Sequence, residues 1–124
     1  MKRITLNVDV AEARDLLERV PRACLSFVDD QGPHVEPTIL VVKDDCYLVG
    51  MSAAAKHPTS HQEVVLLVDD GCQFFDLRAV YVRGVVQPQD GVEGPAEGVM
   101  WFVVQPTRAV AWDYARIRAS DDQS

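Results

Sequence analysis

The chain has no lysine- or arginine-rich stretch, no apolar run long enough to cross a bilayer, and only three cysteines in 124 residues. Each absence removes a class of function. With a formal net charge of −7, nothing offsets the repulsion from nucleic acid or an anionic membrane surface, so neither is an expected partner. Cys24, Cys46 and Cys72 are odd in number and widely spaced, which fits neither a disulfide framework nor a close-paired zinc motif. The start, Met1 to Leu6, leads into Asn7, Asp9 and Glu12 and not into an apolar segment. It does not read as a secretory signal, and the expected compartment is the cytoplasm. There is also no nucleophile elbow, no glycine-rich phosphate loop after a strand and no triad spacing.

What is present is ordinary globular material, 48% hydrophobic and 25% charged, enough for one core without metal or disulfide staples. The expected organisation is a single domain over residues 1–118, with 119–124 as a disordered tail. Val10, Ala13, Leu16, Leu17 and Val20 form an apolar stripe at helical spacing, opposite Glu12, Arg14, Asp15, Glu18 and Arg19. Asp9 and Glu12 make a capping-box pair, and Pro21 stops the helix.

After Pro21 the pattern changes to short strands separated by turn residues, a meander that continues almost to the end. The runs are Arg22 to Val28, His34 to Val42, Cys46 to Met51, Glu63 to Val68, Phe74 to Val86, Val99 to Gln105 and Arg108 to Tyr114. The doubled aspartates at 29–30, 44–45 and 69–70 sit at turns, where backbone hydrogen bonding explains them better than acid–base chemistry. Ser52 to Lys56 reads as the start of a short helix that Pro58 limits. Gly84 marks a bulge or bend, and Pro106 separates the last two strands. Residues 87–98, rich in glycine, proline and acid, form an excursion at the barrel's edge. The fold class is α+β, mainly β: a six- to seven-stranded antiparallel split β-barrel with an N-terminal helix and a short inserted helix.

Several segments, in this order and at these separations, resemble the pyridoxamine 5'-phosphate oxidase-like family, the FMN-binding split barrels, some of which use a deazaflavin. The segments are Ala23 to Phe27, Asp30 to Pro37, Tyr47-Leu48-Val49 with Lys56, Val64 to Val68, Val80 to Gly84 and Val104 to Tyr114. The resemblance implies a homodimer with the cofactor, FMN or a deazaflavin, in a groove between two barrels. It places Glu36, Pro37, Thr38 and Ile39 along the isoalloxazine ring. It assigns the phosphate to the end of the third strand and the start of the short helix, with Lys56 as a ligand; Ser52 stands in for a lost hydroxyl and Arg83 is a replacement positive charge. The implied activity is a flavin- or deazaflavin-dependent oxidoreductase acting on a small molecule, in which the ring carries the chemistry and no catalytic side chain is identified.

The sequence departs from the family where the phosphate should be held. Gly50, Ala54 and Ala55 stand where relatives carry a threonine, a small hydroxyl residue and an arginine, and Ala79 where many oxidases carry glutamine. A second reading follows, that of a split-barrel dimer that has lost tight flavin binding and serves as a ligand-binding or accessory protein. A third puts haem in the same groove, with His34, His57 or His61 as axial ligand. Arg78 and Arg108 are alternative sources of positive charge. Trp101, Trp112, Tyr81 and Tyr114 are expected in the core or at the dimer interface. His57 and His61 share a helical spacing, but Pro58 between them and the lack of a completing ligand argue against a metal site.

Overall fold

In the computed structural model, which describes residues 7–20, 22–43, 46–71, 76–88 and 98–113, β1 (Asn7–Val8) leads into a helical segment. The segment is capped as the sequence implies. Asp9 Oδ1 accepts from the Ala11 N–H at 3.0 Å, and the Asp9 N–H donates to Glu12 Oε2 at 3.2 Å. Val10–Ala13 is a 3₁₀ turn and α1 covers Arg14–Arg19. Val20 ends the helix in the left-handed region, with φ 46°, where the residue before a proline is already biased away from α conformation.

The strands are β2 (Ala23–Asp29), β3 (Gly32–Pro37), β4 (Ile39–Lys43), β5 (Cys46–Ser52), β6 (Glu63–Asp70), β7 (Arg78–Pro88) and β8 (Val99–Asp113). They form one curled antiparallel sheet in the order β3-β2-β6-β7-β8-β5-β4, with β1 added to β8. The two ends of that order are halves of one strand bent at Thr38. The Thr38 N–H donates to the Ala23 carbonyl on β2 at 3.1 Å, and the Thr38 hydroxyl reaches the Gly50 carbonyl on β5 at 2.9 Å. One residue thereby ties both edges of the sheet together, which turns the curl into a barrel.

The core is apolar throughout. Leu25, Val49, Leu66, Val68, Val80, Val82, Val86 and Val104 are fully buried, with Phe27, Leu40, Tyr47 and Phe102 around them. No polar or charged side chain is buried among the described residues. Ala13, Leu16 and Leu17 of the helical segment join this core, and α1 packs on β6 and β7. Arg78 fixes the helix in place. Its guanidinium forks onto Asp15 at 2.7 and 2.9 Å and also reaches the Glu12 carbonyl at 3.1 Å. Arg19 joins Asp15 to Asp70. Arg78 first, and Arg19 beside it, hold the Asp15 carboxyl well below the usual carboxylate range.

Three expectations are corrected. The strands are not a simple meander, because β5 pairs with β8 and β6 returns to β2. The short inserted helix is absent: between β5 and β6, residues 53–62 make turns only. Ser52 Oγ accepts from the Ala54 N–H there, a local turn that competes with helix nucleation, and Pro58 blocks extension. Pro106 does not divide the last strand. It lies within β8 opposite Gly84, at a bulge where Thr107 is the extra residue and bonds the Arg83 carbonyl at 3.1 Å. β5 ends its pairing at Val104 and β1 begins at Ala111, so the missing N–H of Pro106 leaves no partner strand unsatisfied. Gly84 is required at that bulge, since a Cβ there would lie 2.2 Å from the Gln105 carbonyl oxygen.

Pro21, Asp44 and Asp45, Cys72 to Phe75, residues 89–97 of the edge excursion, Tyr114 and the tail 119–124 lie outside the described residues. No described helix is long and apolar enough to cross a membrane.

Candidate functional site

The bent strand β3–β4 carries its apolar residues on the wrong side for a solvated surface. In β2–β3 register, His34 and Glu36 share the side of buried Phe27 and Leu25, while Pro33, Val35 and Pro37 face out beside Val28, Ser26 and Cys24. Beyond Thr38, Ile39 and Val41 continue the outward row next to Gly50 and Leu48 of β5. Val28 and Val35 are 60% and 65% exposed, Ile39 and Val41 46% each. Antiparallel sheets with one wet face alternate apolar-in with polar-out. This stripe is apolar-out.

Two clefts flank the stripe. One, of about 530 Å³, is lined by Ser26, Val28, His34, Val35, Val65 and Arg83 among others. The other, of about 600 Å³, lies at the corner formed by Val20, Arg22, Ala23, Pro37, Thr38 and Ile39. Of the four residues expected along a ring, Pro37, Thr38 and Ile39 line the second cleft, and Glu36 precedes them on β3. Pro37 and Ile39 are exposed, Thr38 is half-buried at the bend, and Glu36 is half-buried on the opposite side from Pro37.

The residues expected to hold a phosphate are not assembled for it. Lys56 Nζ donates to Gln31 Oε1 at 2.6 Å and lies 3.9 Å from Asp29 Oδ2, both at the tip of the β2–β3 hairpin. His34 Nε2 stands 2.7 Å from Asp29 Oδ1. His34, the turn amide of Gln31 and Lys56 together hold the Asp29 carboxyl below its usual value, with His34 the largest cause. The Ser52 hydroxyl oxygen is turned onto its own loop. Arg83 lies across from Arg108 on the neighbouring strand, 3.8 Å from Glu63, and borders the first cleft instead of meeting Ser52 or Lys56. Arg78 is engaged by Asp15 and takes no part.

The remaining candidates have structural neighbours. Trp101 lies over Gly50, where a Cβ would come within 2.8 Å of the indole ring. Trp112 and Tyr81 stack at 4.9 Å on the outer face of β7 and β8. The His57 ring rests 6.0 Å from Phe102, and His61, with φ 66°, meets the Ser60 hydroxyl at 2.9 Å. Among the described residues no group of three or more His, Cys, Asp or Glu is placed to hold a metal ion. Cys24 is half-buried beside the stripe, and burial pushes its thiol pKa up.

Sequence reasoning did not find the outward apolar row or the engagement of Lys56. The row was legible in principle, since Pro33, Val35, Pro37, Ile39 and Val41 alternate at period two.

No protein-family model and no curated protein matches the sequence. Solved structures do match in shape. An FAD-binding protein from Mycobacterium smegmatis superposes with TM-score 0.68 at 21% identity, covering 86% of this chain and 98% of that one. The architecture is the split barrel. A haem storage protein from Vibrio cholerae shares the split barrel at TM-score 0.65 and 16% identity, over 83% of this chain and 93% of that one. A protein assigned as a pyridoxamine 5'-phosphate oxidase from Corynebacterium glutamicum does so at TM-score 0.65 and 12% identity, over 90% and 94%.

The end of β5 does not fit a phosphate: the cation is neutralised within the chain and the loop's groups bond one another.

Proposed function

We propose that this split barrel works as a homodimer whose outward apolar stripe encloses a flavin-type ring, FMN or a deazaflavin, for oxidoreductase chemistry on a small molecule. The observation that carries this reading is the outward-facing row Pro33, Val35, Pro37, Ile39 and Val41, whose first two residues line one cleft and whose next two line the other. A self-complementary apolar strand face is covered most simply by its own copy across a two-fold axis, and such an interface is where a ring ligand is shielded from water. The FAD-binding and haem-storing proteins of the same shape support a ring ligand of this size. In flavoproteins the redox chemistry belongs to the cofactor and the protein positions it.

A second reading has a specific observation in its favour. With Lys56 bound to Gln31 and the Ser52 oxygen turned inward, affinity for FMN is reduced, and the dimer then serves as a ligand-binding or accessory protein. Haem is the candidate ligand, because His57 and His61 are exposed.

The test is spectroscopic. The protein is purified without added cofactor, its absorption spectrum recorded, and FMN, a deazaflavin and haemin titrated in turn. Saturable binding of a flavin-type ring supports the first reading. Binding of haemin alone supports the second, and binding of none of the three at high micromolar concentration refutes both.

A further inference from the structure

The loop after β5 is closed on itself and on the hairpin opposite. The Ala53 N–H donates to the Gly98 carbonyl at 2.7 Å, the Ala54 N–H to Ser52 Oγ at 3.3 Å and the Ala55 N–H to the Ser52 carbonyl at 3.1 Å. Three successive amides, the usual cradle of an anion, are thus all occupied. At the end of β5, the Trp101 indole of the neighbouring β8 fills the space a side chain at position 50 would need. The sequence's loss of a hydroxyl at Gly50 therefore has a packing cause, since a threonine there would displace the ring.

Lys56 completes the pattern. Its ammonium is bound by the amide oxygen of Gln31 and faced by the Asp29 carboxylate, so a carboxylate and an amide of the chain stand where a phosphate would approach. The hairpin tip is itself anchored: the Gln31 N–H donates to Asp29 Oδ1 at 2.8 Å, and the Gln62 side-chain amide bonds the Val28 carbonyl. An incoming dianion must break the Lys56 contact and come close to Asp29, in a chain already at −7.

We infer that the groove takes its ring ligand without holding a phosphate, because the end of β5 and the following loop are sealed by Trp101, by their own amides and by the tie between Lys56 and the β2–β3 hairpin. This rests on the ring-binding reading above and specifies its ligand as the unphosphorylated form of the ring compound, or one whose phosphate stays in solvent.

Riboflavin and FMN share one ring and differ in the phosphate, so their affinity ratio isolates the point. A held phosphate contributes at least one charge-assisted hydrogen bond, which is roughly a tenfold or greater preference for FMN. The expectation for the wild type, by fluorescence titration, is a ratio within about threefold of unity. Lys56→Ala leaves that ratio unchanged, whereas Asp29→Asn with Gln31→Ala frees the lysine and raises the preference for FMN by about tenfold. A wild-type preference for FMN above about tenfold that Lys56→Ala abolishes overturns the inference.

A readout without flavin keeps the two claims separable. Millimolar pyrophosphate is added to the ¹⁵N-labelled wild-type protein and the amide signals of residues 53–56 are followed. Unmoved signals support the sealed loop even if neither flavin binds, in which case only the ring reading falls. Saturable movement of those amides overturns the inference even if riboflavin and FMN bind.

Discussion

Thr38→Val tests the corner on which the barrel closes. Valine keeps the shape and β-branching of threonine, so the substitution removes little except the hydroxyl. That hydroxyl lies 2.9 Å from the Gly50 carbonyl and 3.0 Å from that of Ile39. A typical hydrogen bond contributes about 1 kcal/mol net, and a half-buried carbonyl left without its partner adds to the loss, giving about 1–2 kcal/mol in all. For a chain of this length that corresponds to a melting temperature lower by roughly 3–8 °C. Thr107→Val is the control, since its hydroxyl also bonds a backbone carbonyl, that of Arg83, but at an exposed bulge far from the closure. Equilibrium urea unfolding of both variants gives the comparison. Thr38→Val within a few tenths of a kcal/mol of wild type, or no worse than Thr107→Val, refutes the view that this residue joins the two sheet edges.

Gly84→Ala drives a Cβ against the Gln105 carbonyl oxygen, where the obstacle is backbone and cannot rotate away; the expected loss is about 2–3 kcal/mol by urea unfolding. Gly50→Ala meets only the edge of the Trp101 ring, so a smaller loss is expected, with a changed indole fluorescence as the ring is pushed outward. Asp15 is held below the usual carboxylate range by Arg78 and Arg19, so its contribution to stability is full above the ordinary aspartate pKa and fades as pH falls through that value towards the native one. Asp15→Asn is therefore less stable than wild type at neutral pH, and the gap between their urea midpoints narrows from about pH 5 to about pH 2; a gap constant over that range contradicts the assignment.

Much of the fold could be read locally. The capping box of Asp9 and Glu12, the stop near Pro21 and the bulge at Gly84 each follow from chemistry within a few residues, and the structure bears them out. Strand pairing was less accessible. That β5 joins β8 is a contact between segments some fifty residues apart, and no local pattern encodes it. Pro106 reads as a break because a proline lacks its N–H, yet it sits where β8 has only one neighbouring strand. The site was less accessible in the same way. Glu36 to Ile39 fall where the expected run His34 to Val42 divides into β3 and β4 at Thr38, a bend set by contacts to β2 and β5 and not by local order. Lys56 is expected from the sequence as a phosphate ligand, and its partners Gln31 and Asp29 lie on a hairpin brought to it only by tertiary folding. The inserted helix failed for a local reason, the competition of the Ser52 turn and Pro58 with helix formation.

The central claim is that the outward face of β3–β4 is a surface made to be covered by a second copy. Sedimentation equilibrium at micromolar concentration tests it, with wild type and Ile39→Glu compared and far-UV circular dichroism confirming that both are folded. Ile39 is 46% exposed in the isolated chain, so a glutamate there leaves the core intact. The account predicts a wild-type dimer and a folded Ile39→Glu monomer. A wild-type monomer, or a variant that remains fully dimeric, contradicts it.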